Sequence, residues 1–128
     1  HKKWPYYNEL IELIKNNYQD QFNIVVAPAP HEINEAKNIN AICVLDDDKA
    51  LNILQLSSLI KESSFVVAND TGPAHMAAHL NVKGLTLFGS HTTAKKVSIE
   101  RDKFKAIQVS DLNKLSAKNV FERIVNEI

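Results

Sequence analysis

Between Pro5 and Tyr18 the apolar residues Leu10, Ile11, Leu13, Ile14 and Tyr18 recur at three-to-four spacing, with Glu9, Glu12 and Lys15 between them. That period predicts an amphipathic helix, and Pro5 suits its first turn, where an amide proton would have no intrahelical partner. From Phe22 to Ala27 the chain is continuously apolar apart from Asn23, as a strand buried on both faces would be. The pattern then predicts a short helix at Ile33 to Ile39, a strand at Ala41 to Leu45, a helix at Leu51 to Lys61 and a strand at Phe65 to Ala68. Further on it predicts a helix at Pro73 to Leu80 and strands at Gly84 to Phe88 and Lys105 to Val109. A last helix runs from Ala117 to Ile128 with Ser116 as its N-cap.

Short apolar strands alternating with helices imply right-handed crossovers, hence a mostly parallel sheet with helices on both faces. The predicted class is α/β, a Rossmann-like three-layer sandwich. No repeat, low-complexity tract or Pro/Gly-rich linker breaks the pattern, so residues 1–128 are expected to form one domain. In such folds ligands bind beyond the carboxyl ends of the strands.

Composition narrows the function more than the fold. Fifteen Lys and Arg balance fifteen Asp and Glu, which removes the electrostatic argument for a nucleic-acid partner. Cys43 is the only cysteine; no internal disulfide can form, and its apolar neighbours predict a buried strand thiol in a reducing, cytoplasmic setting. No apolar run reaches bilayer-spanning length. The chain opens without Met at His1-Lys2-Lys3-Trp4-Pro5, which reads as a fragment of a longer protein.

The segment with chemistry is Asn69-Asp70-Thr71-Gly72-Pro73-Ala74-His75-Met76-Ala77-Ala78. It lies where a predicted strand ends and a helix begins. Gly72 would let a ligand approach the backbone, and the first-turn amides with the helix dipole favour an anion such as a diphosphate. From spacing alone, a turn capped by Asp70 or Thr71 fits equally well.

This run, followed by Leu87-Phe88-Gly89, resembles the signature of the bacterial lipopolysaccharide heptosyltransferases, glycosyltransferase family nine. The opening Lys2-Lys3-Trp4-Pro5 is similar to the Lys-x-Trp-Pro that begins that family's C-terminal domain. Ala29-Pro30-His31-Glu32 with Glu35-Ala36 resembles its loop and helix after a strand. The sequence departs from the family in having Val26-Ala27-Pro28-Ala29-Pro30 where many members have glycines, and Ser90 after Phe88-Gly89 where many have proline.

The resemblance implies one half of a GT-B enzyme, the domain that binds the nucleotide sugar. It implies Lys2 at the donor phosphate, Glu32 at the ribose, Asp70, Thr71 and Gly72 at the diphosphate and sugar, and His75 just behind that turn. Leu51 would pack on the base. Without it, Lys2 reads as a solvated terminal lysine and Glu32 as an acid at a helix start. The implied donor is ADP-heptose or another nucleotide sugar, with no cofactor and no metal. The implied acceptor is lipid A or the lipopolysaccharide core, bound through an N-terminal domain that also holds the general base. The full-length enzyme would be cytoplasmic and peripheral at the inner membrane. The rival is a freestanding nucleotide-binding or interaction module without transferase activity.

Other signals carry less. His75 and His79 have the four-residue spacing of a metal pair but no third ligand at a convincing spacing. Asp46-Asp47-Asp48 matches the Asp-x-Asp pattern of a metal-dependent transferase fold, but reads as a solvated run complementing a helix that begins near Ala50. Ser57 and Ser58 have no partners placed to activate them. Lys95 and Lys96 read as a solvated basic pair.

Overall fold

The computed structural model describes residues 3–90 and 99–127; Lys2, Lys95, Lys96 and Ile128, each given a place above, lie outside them. The order is α1 (Tyr7–Tyr18), β1 (Val25–Val26), α2 (Ile33–Ala36), β2 (Ile42–Cys43), α3 (Ile53–Glu62), β3 (Val66–Asn69) and α4 (Gly72–His79). Then come β4 (Gly84–Phe88), β5 (Phe104–Gln108) and α5 (Ala117–Glu127). Short 3-10 turns at Gln19–Gln21, Pro30–Glu32 and Leu112–Lys114 join them.

The expected α/β class holds, and every strand pairing is parallel: β1 with β2, and β3-β4-β5 in a separate sheet. β4 is central, and all five of its residues are buried. Its alternation divides the interior. Leu85 and Leu87 pack in a cluster with Leu10, Val120 and Ile124 of α1 and α5, whereas Phe88 packs with Ile60, Ala74 and Ala77 of α3 and α4. Helices therefore cover both faces of this sheet, which gives three layers.

The β1–β2 pair departs from expectation. A strand buried on both faces was predicted over Phe22 to Ala27, yet only Val25–Val26 pair, and the cross-strand partners Val25 and Ile42 are 38% and 61% exposed. Cys43 is on β2 as predicted but only partly buried. The reason is cover: α2 has four residues, about one turn, too short to shield a sheet as the longer helices do.

Local chemistry sets the helix ends. Ser116 Oγ accepts the Asn119 amide at 3.1 Å, so the predicted N-cap is real. α3 starts two residues later than predicted because Asn52 and Gln55 exchange reciprocal side-chain to backbone hydrogen bonds of 2.8 and 2.9 Å, a capping box. α1 likewise begins two residues after Pro5, at Tyr7. At the far end of α4, Asn81 adopts φ 59° and donates to the Ala78 carbonyl, while Val82 donates to Ala77. This Schellman closure turns the chain directly into β4, with Val82 buried as the apolar contact.

Candidate functional site

β3 delivers Asn69 and Asp70 to its carboxyl end, and α4 begins two residues later. Asp70 is buried, its side chain 2% exposed, although it is a carboxylate beside an open turn. One of its oxygens lies 3.7 Å from Nε2 of His75, whose side chain is 39% exposed. That distance is too long for a hydrogen bond; it becomes an ion pair when the imidazole is protonated. The imidazole thus sits between a buried anion and solvent.

Thr71 occupies the N-cap position with extended backbone torsions, but its side chain makes no capping bond. Its hydroxyl turns back to the Asn69 carbonyl at 3.2 Å. The Thr71 carbonyl accepts the amides of Ala74 and His75, and Pro73 has none to give. Thr71 is therefore not the helix cap that spacing alone allowed. Gly72, the first helical residue, is exposed. It does not have positive φ, and a Cβ built on it would meet nothing within 4 Å. Among the described residues, neither torsion nor packing requires glycine here.

The other expected site residues follow other strands. Glu32 ends the 3-10 turn after β1, is half-buried, and reaches back to the Ala29 amide at 3.4 Å. Leu51 is half-buried between β2 and α3. Four of the predicted residues, Asp70, Thr71, Gly72 and His75, share one turn, while Glu32 and Leu51 come from separate segments.

The Asp46 to Asp48 run has a local explanation. Asp46 and Lys49 exchange backbone hydrogen bonds around Asp47 and Asp48, which have φ 51° and 65°. Positive φ at both central residues marks a tight two-residue hairpin turn, which Asp tolerates better than most residues. The expectation of a helix beginning near Ala50 is corrected to Ile53; of the three acids, Asp46 reaches it, accepting from Gln55 Nε2 at 2.8 Å. Among the described residues no group of three or more His, Cys, Asp or Glu is placed to hold a metal ion, and no helix is long and apolar enough to cross a membrane.

Two supports of the site went unread in the sequence. The Tyr7 hydroxyl donates to Asn69 Oδ1 at 2.6 Å, joining α1 to the last residue of β3, and burial pushes its phenol above the usual tyrosine range. Trp4 is 3% exposed and donates from Nε1 to the Leu115 carbonyl at 2.7 Å. These contacts span 62 and 111 positions, separations at which no local spacing relates the partners.

The family model described as glycosyltransferase family 9 (heptosyltransferase) matches residues 1–123. Among solved structures, E. coli heptosyltransferase WaaC with ADP-2-deoxy-2-fluoro heptose superposes with a TM-score of 0.80 at 24% identity, over 99% of this chain and 39% of that one. WaaC with ADP gives 0.82 at 24% identity, over 99% and 40%. E. coli ADP-heptose lps heptosyltransferase II gives 0.74 at 22% identity, over 98% and 42%. At these identities the likeness is one of fold, and the chain spans only 39% to 42% of those proteins. No curated protein matches the chain.

Proposed function

The chain belongs to glycosyltransferase family 9, the heptosyltransferases, and from that premise we propose that it is the donor-binding half of an inverting GT-B transferase. Its donor is a nucleotide sugar, ADP-heptose first. The acceptor, the lipid A and inner-core region of lipopolysaccharide, and the base that activates its hydroxyl belong to an N-terminal domain of the same cytoplasmic enzyme. The domain extends over residues 1–128.

One observation supports this reading most: Gly72 is a glycine that its own torsions and the packing of the described residues do not need, at a helix N-terminus behind a strand's carboxyl end. A diphosphate approaching the backbone there gives the missing side chain a reason. In this reading the α4 amide end and Lys2 carry the negative charge that grows on the departing diphosphate, an electrostatic contribution realised most fully in the transition state. The Glu32 carboxylate accepts from the ribose hydroxyls, Leu51 packs on the base, and Asp70, Thr71 and His75 surround the phosphates and sugar. That WaaC structures contain ADP and an ADP-heptose analogue favours ADP over other nucleotides.

Calorimetric titration with ADP, UDP and GDP tests it. ADP is expected to bind best, and Gly72→Val to weaken it by at least about tenfold, some 1.4 kcal/mol, while the circular dichroism melt stays close to wild type. Asp47→Ala, in the exposed hairpin turn, is expected to leave affinity unchanged. Equal or undetectable binding of all three nucleotides, or loss of affinity in Asp47→Ala with Gly72→Val intact, overturns the proposed site.

A further inference from the structure

Glu32 sits at the entrance of a segment with little stability of its own. A one-turn helix does not pay its nucleation cost in isolation, so α2 and the 3-10 turn before it take their position from ties to the rest of the chain. Three of these ties reach the neighbouring stretch. Asn8 Nδ2 donates to the Asn38 carbonyl at 3.0 Å, the Asn40 amide donates to Asn8 Oδ1 at 2.8 Å, and Lys15 Nζ donates to the Asn40 carbonyl at 3.2 Å. All three act beyond α2, on the side away from Glu32.

On α2 itself there are two ties: Ala36 is buried, 4% exposed, and Glu35 makes an ionic contact. Lys3 Nζ donates to both carboxylate oxygens of Glu35, at 2.7 and 3.0 Å. Lys3 has a fixed base, since the next residue, Trp4, is buried and hydrogen-bonded to Leu115. The hydrogen bond to Glu35 raises the Lys3 ammonium above the usual lysine value; desolvation opposes this, and the charges of Glu35 and Glu32 add to the rise.

We propose that Lys3 and Glu35 are positioning residues: their bidentate pair ties α2 to the anchored Trp4 segment and holds Glu32 where it recognises a ribose diol. The proposal rests on the donor-site reading above. Both side chains are largely exposed, 65% and 60%, so the pair adds little to global stability. Its effect is local, on a one-turn segment whose other anchors are the buried Ala36 and the contacts of Asn8 and Lys15 beyond it.

The test compares ADP with 2′-deoxy-ADP by titration calorimetry at low ionic strength, in wild type, Lys3→Gln, Glu35→Gln and Lys3→Arg. Wild type is expected to prefer ADP. Lys3→Gln and Glu35→Gln are each expected to weaken ADP about threefold, the scale of an exposed ion pair, with 2′-deoxy-ADP nearly unchanged, so that the preference shrinks. Lys3→Arg, which keeps the bidentate pair, is expected to retain it. Glu35→Gln is decisive because removing an acid near an anion site strengthens binding of both nucleotides if only net charge matters. Unchanged or tighter ADP binding in Glu35→Gln, against a wild type that does discriminate, overturns the positioning role alone. Equal binding of the two nucleotides by wild type removes Glu32 from the ribose and the proposal with it. No ADP binding by wild type overturns the donor-site reading itself.

Discussion

Individual residues here divide by whether their burial is explained. Thr86 is 0% exposed in the central strand, and its hydroxyl has no hydrogen-bond partner among the described residues. A buried hydroxyl without a partner costs about 1 to 3 kcal/mol of desolvation. Thr86→Val replaces it with a methyl of nearly the same shape in a β-compatible residue. The variant is expected to be more stable by about 1 kcal/mol, a rise in melting temperature of about 3 to 6 °C for a chain of this size. An unchanged or lower melting temperature would mean that the hydroxyl has a role the packing does not show. Asp70 is the contrasting case. It is also buried, but it has His75 alongside and the mouth of the turn next to it; in the reading advanced above, its burial serves ligand binding.

At the scale of elements, two glycines illustrate opposite constraints. Gly84 opens β4, where an added Cβ would stand 2.6 Å from Phe104 Cε1 and closer still to the Val66 carbonyl oxygen. The three-stranded sheet is so tight there that backbone and an aromatic ring occupy the space a side chain needs. Gly84→Ala is expected to cost about 3 kcal/mol, in the overpacking range, and Gly72→Ala to change stability by under about 0.5 kcal/mol because its Cβ enters open space. Urea denaturation of the two variants measures the difference directly; comparable losses would contradict the packing around β4. The same contrast makes Gly72 the better probe of the proposed donor site, since substitution there leaves the sheet unperturbed.

For the molecule as a whole, the chain spans 39% to 42% of the heptosyltransferases it superposes on. Transfer needs an acceptor and a base held against the donor, and proximity is a large part of the rate. The chain by itself is therefore expected to bind ADP-heptose yet transfer nothing to lipid A precursors. Product formed by the purified chain would contradict the division of labour proposed above. ADP affinity is expected to be the same with and without a chelator, since the α4 N-terminus supplies the positive potential and the Asp46 to Asp48 run is engaged in its own hairpin turn. A Mg²⁺ or Mn²⁺ requirement abolished by Asp46→Ala with Asp48→Ala would reverse that assignment.

The α/β alternation and the strand-to-helix turn at the β3 to α4 junction were legible in the sequence because both are local. Apolar period reports which faces are covered, and the Asp70-Thr71-Gly72 run is contiguous, so the chain carries its own address. The positive φ at Asp47 and Asp48 was also open to such reading, through the tolerance of Asp for that conformation. The sequence did not determine how well each strand is covered. Val25 and Ile42 are as apolar as Leu85 and Leu87, yet the first pair is exposed and the second fully buried, because only the second has long helices on both sides. Nor did it determine the roles of Tyr7, Trp4, Lys3 and Glu35. Each meets its partner across 32 to 111 positions, and only folding, which sets those segments side by side, decides which polar atoms are left facing one another.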